Sequence, residues 1–178
     1  MIPVATDPVA AQFRAEYDRL NLEVYRGRLP PFPGLVWTRA LTRAGSTHWR
    51  RVLTPRGIRV ELGPFRLSRH FTDPEARLET MRHEIAHAAA LLLDGERGHG
   101  PVWQRHAVLC GAHPRACTAA RPAKAPKVVL ACSGCGQEAW YYRPTTRVAL
   151  AARLRCRKCR TVGFHVTRNA YAEATQSA

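Results

Sequence analysis

Two groups of residues in this sequence have the types and spacing to hold a metal ion, and one of them suits catalysis. The first is His83-Glu84-Ile85-Ala86-His87. Helical residues four apart differ by about 40° around the axis, so both imidazoles leave one helix face. Glu84 is displaced by one residue, close enough to reach water at a shared ion without ligating it. Zinc lowers the pKa of such water to near 7, and a carboxylate beside it takes the proton. A catalytic zinc has three protein ligands and one open position. The familiar extension that supplies a third histidine is absent, because Ala90 and Leu93 stand where Gly and His would be required. The candidates are Asp94, Glu96, His99 and His106. His99 is favoured: Gly98 and Gly100 let its backbone approach closely, and Pro101 opens the next helix, so the loop can return to the first two histidines. His106 reads as an interior histidine behind the site, and Asp94 and Glu96 as solvated loop charges.

The second group is Cys132-Ser133-Gly134-Cys135 and Cys156-Arg157-Lys158-Cys159, two pairs separated by 20 residues. That is zinc-ribbon spacing. Four thiolates close a tetrahedron and leave no position for substrate, so this zinc is structural. Cys110 and Cys117 remain, and read as small buried or loop residues.

The elements that must position these groups are legible as periods. Residues 8–26 read as a helix, capped by Thr6 or Asp7, with Phe13, Tyr17, Leu20 and Val24 on its core face. Gly27 stops it. Leu35–Thr38, His48–Leu53 and Gly57–Leu62 have strand composition and predict a small antiparallel sheet. A second helix starts near Asp73-Pro74, where Thr72 and Glu75 have capping-box spacing. It carries Leu78, Met81, Ile85, Ala89 and Leu92 as one apolar stripe and ends at Asp94-Gly95. A third helix spans about Pro101 to Cys110, closed by Gly111. The expected class is α+β, with three helices on the small antiparallel sheet over residues 1–120, a basic linker at 121–127, a β zinc ribbon at 128–168 and a tail at 169–178.

Composition narrows the partners. The chain has 178 residues, 28 basic and 13 acidic, for a net charge of +15. Residues 97–178 carry 14 of the basic residues against two acids. A polyanion is the expected partner, with the C-terminal half leading; a GC-rich genome is the plain alternative, since Arg outnumbers Lys 25 to 3. In the ribbon, Arg143, Arg147, Arg153, Arg155, Arg157, Lys158 and Arg160 alternate with aromatics such as Trp140 and Tyr142. That mixture suits DNA, single-stranded or junction-containing, with little sequence preference; the plain alternative is that the aromatics are core and the charges keep a small domain soluble. The longest apolar run, Ala88–Leu93, is six residues, far short of the ~20 that span a membrane. The N-terminus lacks the form of an export signal, which together with paired cysteines predicts a cytoplasmic, nucleoid-associated protein.

These residues together resemble the SprT-like (Spartan) metalloprotease family. The resemblance rests on His83-Glu84-x-x-His87, then Gly98-His99-Gly100-Pro101-x-Trp103, then the Cys-x-x-Cys pairs. Asn21-Leu22-x-x-Tyr25-x-Gly27-x-Leu29-Pro30 matches the entry motif of that family, and Trp37 and Ala44-Gly45 fall at its first strand and turn. The resemblance implies a minimal zincin fold in which His83, His87 and His99 hold the catalytic zinc and Glu84 is the general base. It also implies action on proteins trapped on DNA. One departure is the short connection of 11 residues between His87 and His99. The function expected is therefore a zinc endopeptidase, with two zinc ions per chain, acting on DNA-associated or DNA-crosslinked proteins. The rival is a non-catalytic zinc protein that binds nucleic acid or acts as an adaptor, against which the presence of Glu84 argues.

Overall fold

The computed structural model describes residues 7–115, 122–143 and 145–170. Thr6, the other cap expected for the first helix, Cys117, Arg121 of the expected linker and the tail from residue 171 lie outside the described residues. The chain divides into two compact units, Met1–Ala123 and Lys124–Ala178.

In the first unit, α1 spans Pro8–Glu23. Asp7 caps it, accepting hydrogen bonds from the backbone N–H groups of Val9 and Ala10. The same carboxylate takes the indole N–H of Trp37, which ties the first strand to the helix start. Phe13, Tyr17 and Leu20 are buried, as their spacing predicts. The segment after the helix is held by Asn21, whose side-chain amide donates to the Leu29 carbonyl and accepts from the Leu29 N–H. Tyr17 donates to the Pro30 carbonyl, and Gly27 takes the positive φ of 73° that the turn requires.

The α+β class is what forms, but the strands pair differently from the expected antiparallel sheet. Strand β1 (Leu35–Thr38) pairs in parallel with β5 (Phe65–Ser68), and β2 (Gly45–Ser46) pairs antiparallel with the other side of β5. Between β2 and β5, β3 (Trp49–Thr54) and β4 (Gly57–Leu62) form a separate antiparallel hairpin. Burial decides the difference. Leu35, Phe65 and Leu67 face the core, where Phe65 meets Phe13, Tyr17 and Phe32. The hairpin carries Arg50, Arg51 and Arg59 and exposes Leu53 and Ile58, so it cannot cover that core. Strand β5 has four residues with Arg66 among them, too few for alternation to reveal.

Helix α2 (Pro74–Asp94) is the longest element. Its cap is Asp73, which accepts from the Ala76 N–H, rather than Thr72. Gly95, with φ 72°, ends it in the left-handed conformation. Met81, Ile85 and Ala89 are fully buried, with Leu78 and Leu92 packed at the margin. Helix α3 (Pro101–Leu109) follows, and Gly111 closes it with φ 70°.

In the second unit, β6 (Val128–Cys132) is the central strand between β7 (Glu138–Tyr141) and β8 (Phe164–Asn169), both antiparallel to it. All five residues of β6 are buried. A four-residue helix, α4 (Thr146–Ala149), precedes a single 3-10 turn at Ala151–Arg153. No described helix is long and apolar enough to cross a membrane.

Candidate active site

Helix α2 carries His83 and His87 one turn apart, and the loop after it returns His99. The three Nε2 atoms converge: His83 to His87 is 3.2 Å, His87 to His99 3.0 Å, and His99 to His83 3.1 Å. Three imidazole nitrogens on a tetrahedral zinc, each 2.0–2.1 Å from it, stand about 3.3 Å apart. The triangle therefore fits one small ion. Three convergent ring nitrogens cannot all be satisfied by donating to one another, whereas one cation satisfies all three. Burial, with the neighbouring rings adding to it, depresses the pKa of His83 to about 4 and of His87 to about 3. Burial also lowers His99. The rings are thus neutral at physiological pH, which is the ligating form.

The fold holds these rings through Trp103, which the sequence shows only as the last residue of the Gly98-His99-Gly100-Pro101-x-Trp103 run. The indole of Trp103 is fully buried, and its centroid lies 4.7 Å from His83, 5.1 Å from His87 and 4.4 Å from His99. It backs all three imidazoles at once. Trp103 is in turn fixed by Glu96, whose Oε1 accepts the Trp103 backbone N–H at 2.9 Å. Glu96 therefore caps α3 and is no mere solvated charge. Asp94 is also engaged, since its Oδ2 lies 2.7 Å from His106 Nε2. The other nitrogen of His106 meets the Tyr25 hydroxyl at 3.2 Å, and that hydroxyl lies 3.1 Å from Cys110 Sγ. His106 is thus a satisfied interior histidine. Burial pushes the Cys110 thiol up to about 11, so it stays protonated.

Glu84 is 5% exposed and points to the opposite wall from the core stripe, toward β2. The Thr47 hydroxyl lies 2.7 Å from Glu84 Oε2 and 2.8 Å from the Glu84 carbonyl oxygen, and donates to one or the other. Burial raises the Glu84 pKa to about 7, against the pull of the Thr47 hydrogen bonds and the Arg43 charge. Gly45 makes this position possible. A Cβ there would sit 2.7 Å from Thr80 Cγ2, 2.9 Å from Glu84 Cγ and 3.0 Å from Glu84 Oε1. The Ala44-Gly45 dipeptide is visible in the sequence only as a turn; its role in clearing space for Glu84 needs the sheet. Together Arg43, Gly45–Thr47, Trp49, the three histidines, Glu84 and Glu96–Gly98 line an open cleft of about 340 Å³.

The cysteines also converge. Cys132 Sγ lies 3.6 Å from Cys159 Sγ, and Cys135 Sγ 3.7 Å from Cys156 Sγ. Thiolates around a tetrahedral zinc stand about 3.8 Å apart, so this cluster also fits one ion. Each Cys-x-x-Cys pair ends in a left-handed residue, Gly136 at φ 68° and Arg160 at φ 65°. The Gly136 and Arg160 N–H groups then bond back to the Cys132 and Cys156 carbonyls. The Thr161 hydroxyl and backbone lower Cys159 to about 6, and backbone hydrogen bonds from Cys159 and Lys158 lower Cys156, both toward the thiolate.

The basic residues singled out in the ribbon, Arg143, Arg147, Arg153, Arg155, Arg157, Lys158 and Arg160, are all exposed. Trp140 and Tyr142 are half-buried, and the Trp140 indole N–H donates to Glu138.

A minimal zincin-like domain with a three-histidine centre, followed by a four-cysteine ribbon, defines a metallopeptidase-like protein. A model of the SprT-like family matches residues 13–123, more than half of the chain, and the chain belongs to that family. No match was found among curated proteins or among solved structures.

Proposed function

We propose that this chain is a zinc-dependent endopeptidase that acts on proteins associated with or crosslinked to DNA. The observation that carries the catalytic reading is the buried Glu84 carboxylate beside three convergent imidazoles in one open cleft. His83, His87 and His99 would hold the zinc, which when bound supplies Lewis acidity toward the scissile carbonyl. Glu84 takes a proton from the attacking water and returns it to the departing amine nitrogen. Thr47 holds the carboxylate in place through its hydroxyl. Strand β2 lies at the edge of its sheet and lines the cleft, so an extended peptide can add to it through main-chain hydrogen bonds.

The DNA part of the reading is supported by charge. The exposed arginines of the ribbon suit phosphate contacts. A second zinc, held by Cys132, Cys135, Cys156 and Cys159, would keep that surface folded. Tethering a DNA-binding unit to a protease raises the effective concentration of DNA-bound substrates.

The test is Glu84→Gln in the zinc-loaded chain, assayed on a DNA-crosslinked protein with and without chelator. The expected result is full zinc content with cleavage abolished, and chelator-sensitive cleavage by the unaltered chain. Undiminished cleavage by Glu84→Gln would refute the mechanism. Intact metal and DNA binding, with no cleavage by either form, would favour the adaptor reading.

A further inference from the structure

Besides the histidines, four charged side chains line the cleft: Arg43, Glu84, Glu96 and Arg97. The two acids are already engaged. Glu84 is buried against Thr47, and Glu96 takes the Trp103 N–H. The two arginines are exposed, and neither forms an ion pair with a carboxylate among the described residues. Arg97 is nevertheless placed. Its guanidinium carbon lies 4.3 Å from the centroid of the Trp49 ring, which also lines the cleft. The ring positions the guanidinium at the cleft wall, and its N–H groups are the kind of donors that meet a carboxylate bidentately. Arg43 stands just before β2, near enough for its charge to act on Glu84 and His48.

We propose that Arg43 and Arg97 make this cleft select a peptide carboxylate, so that substrates are cut beside a negative charge. This deepens the endopeptidase reading and rests on it. The carboxylate has two sources, an Asp or Glu side chain or a chain terminus, and either suits the same donors. The same arginines repel Lys- and Arg-rich segments. In a DNA-bound substrate, cleavage then falls in acidic stretches rather than in the segments that grip phosphate.

The experiment uses the zinc-loaded full chain and a set of labelled octapeptides. Each carries Glu, Gln or Lys at one position in turn, with the C-terminus either free or amidated. Binding is read by fluorescence anisotropy on Glu84→Gln protein, and cleavage by mass spectrometry on the unaltered chain. Glu peptides should bind roughly five- to tenfold tighter than their Gln counterparts at low salt, with the difference shrinking as salt screens it. The double substitution Arg43→Gln, Arg97→Gln should bring that ratio to about one. Preference kept in amidated peptides assigns the side-chain source; preference that follows the free terminus assigns the terminal one. Equal binding of Glu, Gln and Lys peptides, or a ratio untouched by the double substitution, overturns the proposal. The two readings fail separately. Cleavage without charge preference refutes the subsite alone, while Arg-dependent acidic binding without any cleavage refutes the peptidase alone.

Discussion

Substituting Gly45 by Ala tests the packing behind the Glu84 carboxylate without touching a ligand. The Gly45 backbone is outside the left-handed region, so the substitution adds no conformational strain. The added methyl would meet Thr80 Cγ2 at 2.7 Å and Glu84 Cγ at 2.9 Å, against ordinary contacts of about 3.5–4.0 Å. Something must move by roughly 0.6–1.3 Å, and both neighbours are buried, Thr80 at 3% and Glu84 at 5% exposure. Overpacking of this kind costs about 1–3 kcal/mol, readable as a lower urea midpoint at constant slope. If Glu84 is the group that yields, a displacement near 1 Å should lower kcat by about 10²-fold while zinc content stays full. Thr80→Ser in the Gly45→Ala background separates the two effects. It removes Cγ2 but keeps the hydroxyl that donates to the Ala76 carbonyl at 2.8 Å. Stability should partly return, and activity should stay low because the Glu84 clash persists. A Gly45→Ala protein with unchanged midpoint and unchanged kcat would show that the site has slack, and the argument for a tightly placed carboxylate would fall.

Cys132→Ser should lower the metal content from two zinc ions per chain to one and unfold β6–β8, leaving α1–α3 intact, since small ribbons depend on metal; one zinc in the unaltered chain would contradict this, as metal analysis and NMR can tell. Neutralising Arg153, Arg155, Arg157 and Lys158 together should flatten the salt dependence of DNA binding, the slope falling by roughly 0.9 for each duplex phosphate no longer neutralised; an unchanged slope would move the DNA surface elsewhere. Glu16 links α1 to α2, with Oε1 2.8 Å from Arg19 and 2.7 Å from Arg82, and those hydrogen bonds, Arg19 first, hold its carboxyl below the ordinary value of 4.5. A depressed carboxyl stabilises the fold above its unfolded pKa and loses that contribution as pH falls through the folded value. Glu16→Gln should therefore lower stability by about 1–2 kcal/mol at pH 7 and make little difference at pH 2–3, a comparison that urea titrations at the two pH values decide.

The parts of this molecule that are legible in the sequence are those in which spacing along one element equals spacing in space. His83 and His87 converge because helical pitch brings residues four apart together, and the Cys-x-x-Cys pairs because each is a single tight turn. Phe13, Tyr17, Met81 and Ile85 are readable as core for the same reason. What is not legible depends on contacts between elements. The parallel β1–β5 pairing joins residues about thirty positions apart through a four-residue strand, and no local period announces it. Thr47, which holds Glu84, sits 37 residues from it. Glu96 looks like a solvated charge because its role is a hydrogen bond to a helix start seven residues on. His106 reads correctly as interior, yet its partners Tyr25 and Asp94 come from two other segments.

The third histidine shows why the short connection between His87 and His99 matters. A helix delivers His83 and His87 together, but His99 must be brought back across 11 residues that include the last turns of α2. Gly95 reverses the chain with φ 72°, and Gly98 turns it again with φ 90°. A loop this tight has no spare length to wrap the ligand, so the start of α3 does the holding. Gly100 occupies the N-cap position of α3 and Pro101 begins the helix, placing His99 one residue before that position. A Cβ at Gly100 would lie 2.8 Å from Glu96 Oε1, so a larger residue there would push aside the carboxylate that holds the Trp103 N–H. Glu96 fixes the Trp103 backbone, and the Trp103 indole backs all three imidazoles. Helix α3 therefore supports the three-histidine cluster although it contributes none of the three rings. Its nine residues make a weak helix in isolation, and burying Trp103 under the histidines is what anchors it. The ligand triangle and the helix that supports it stabilise each other.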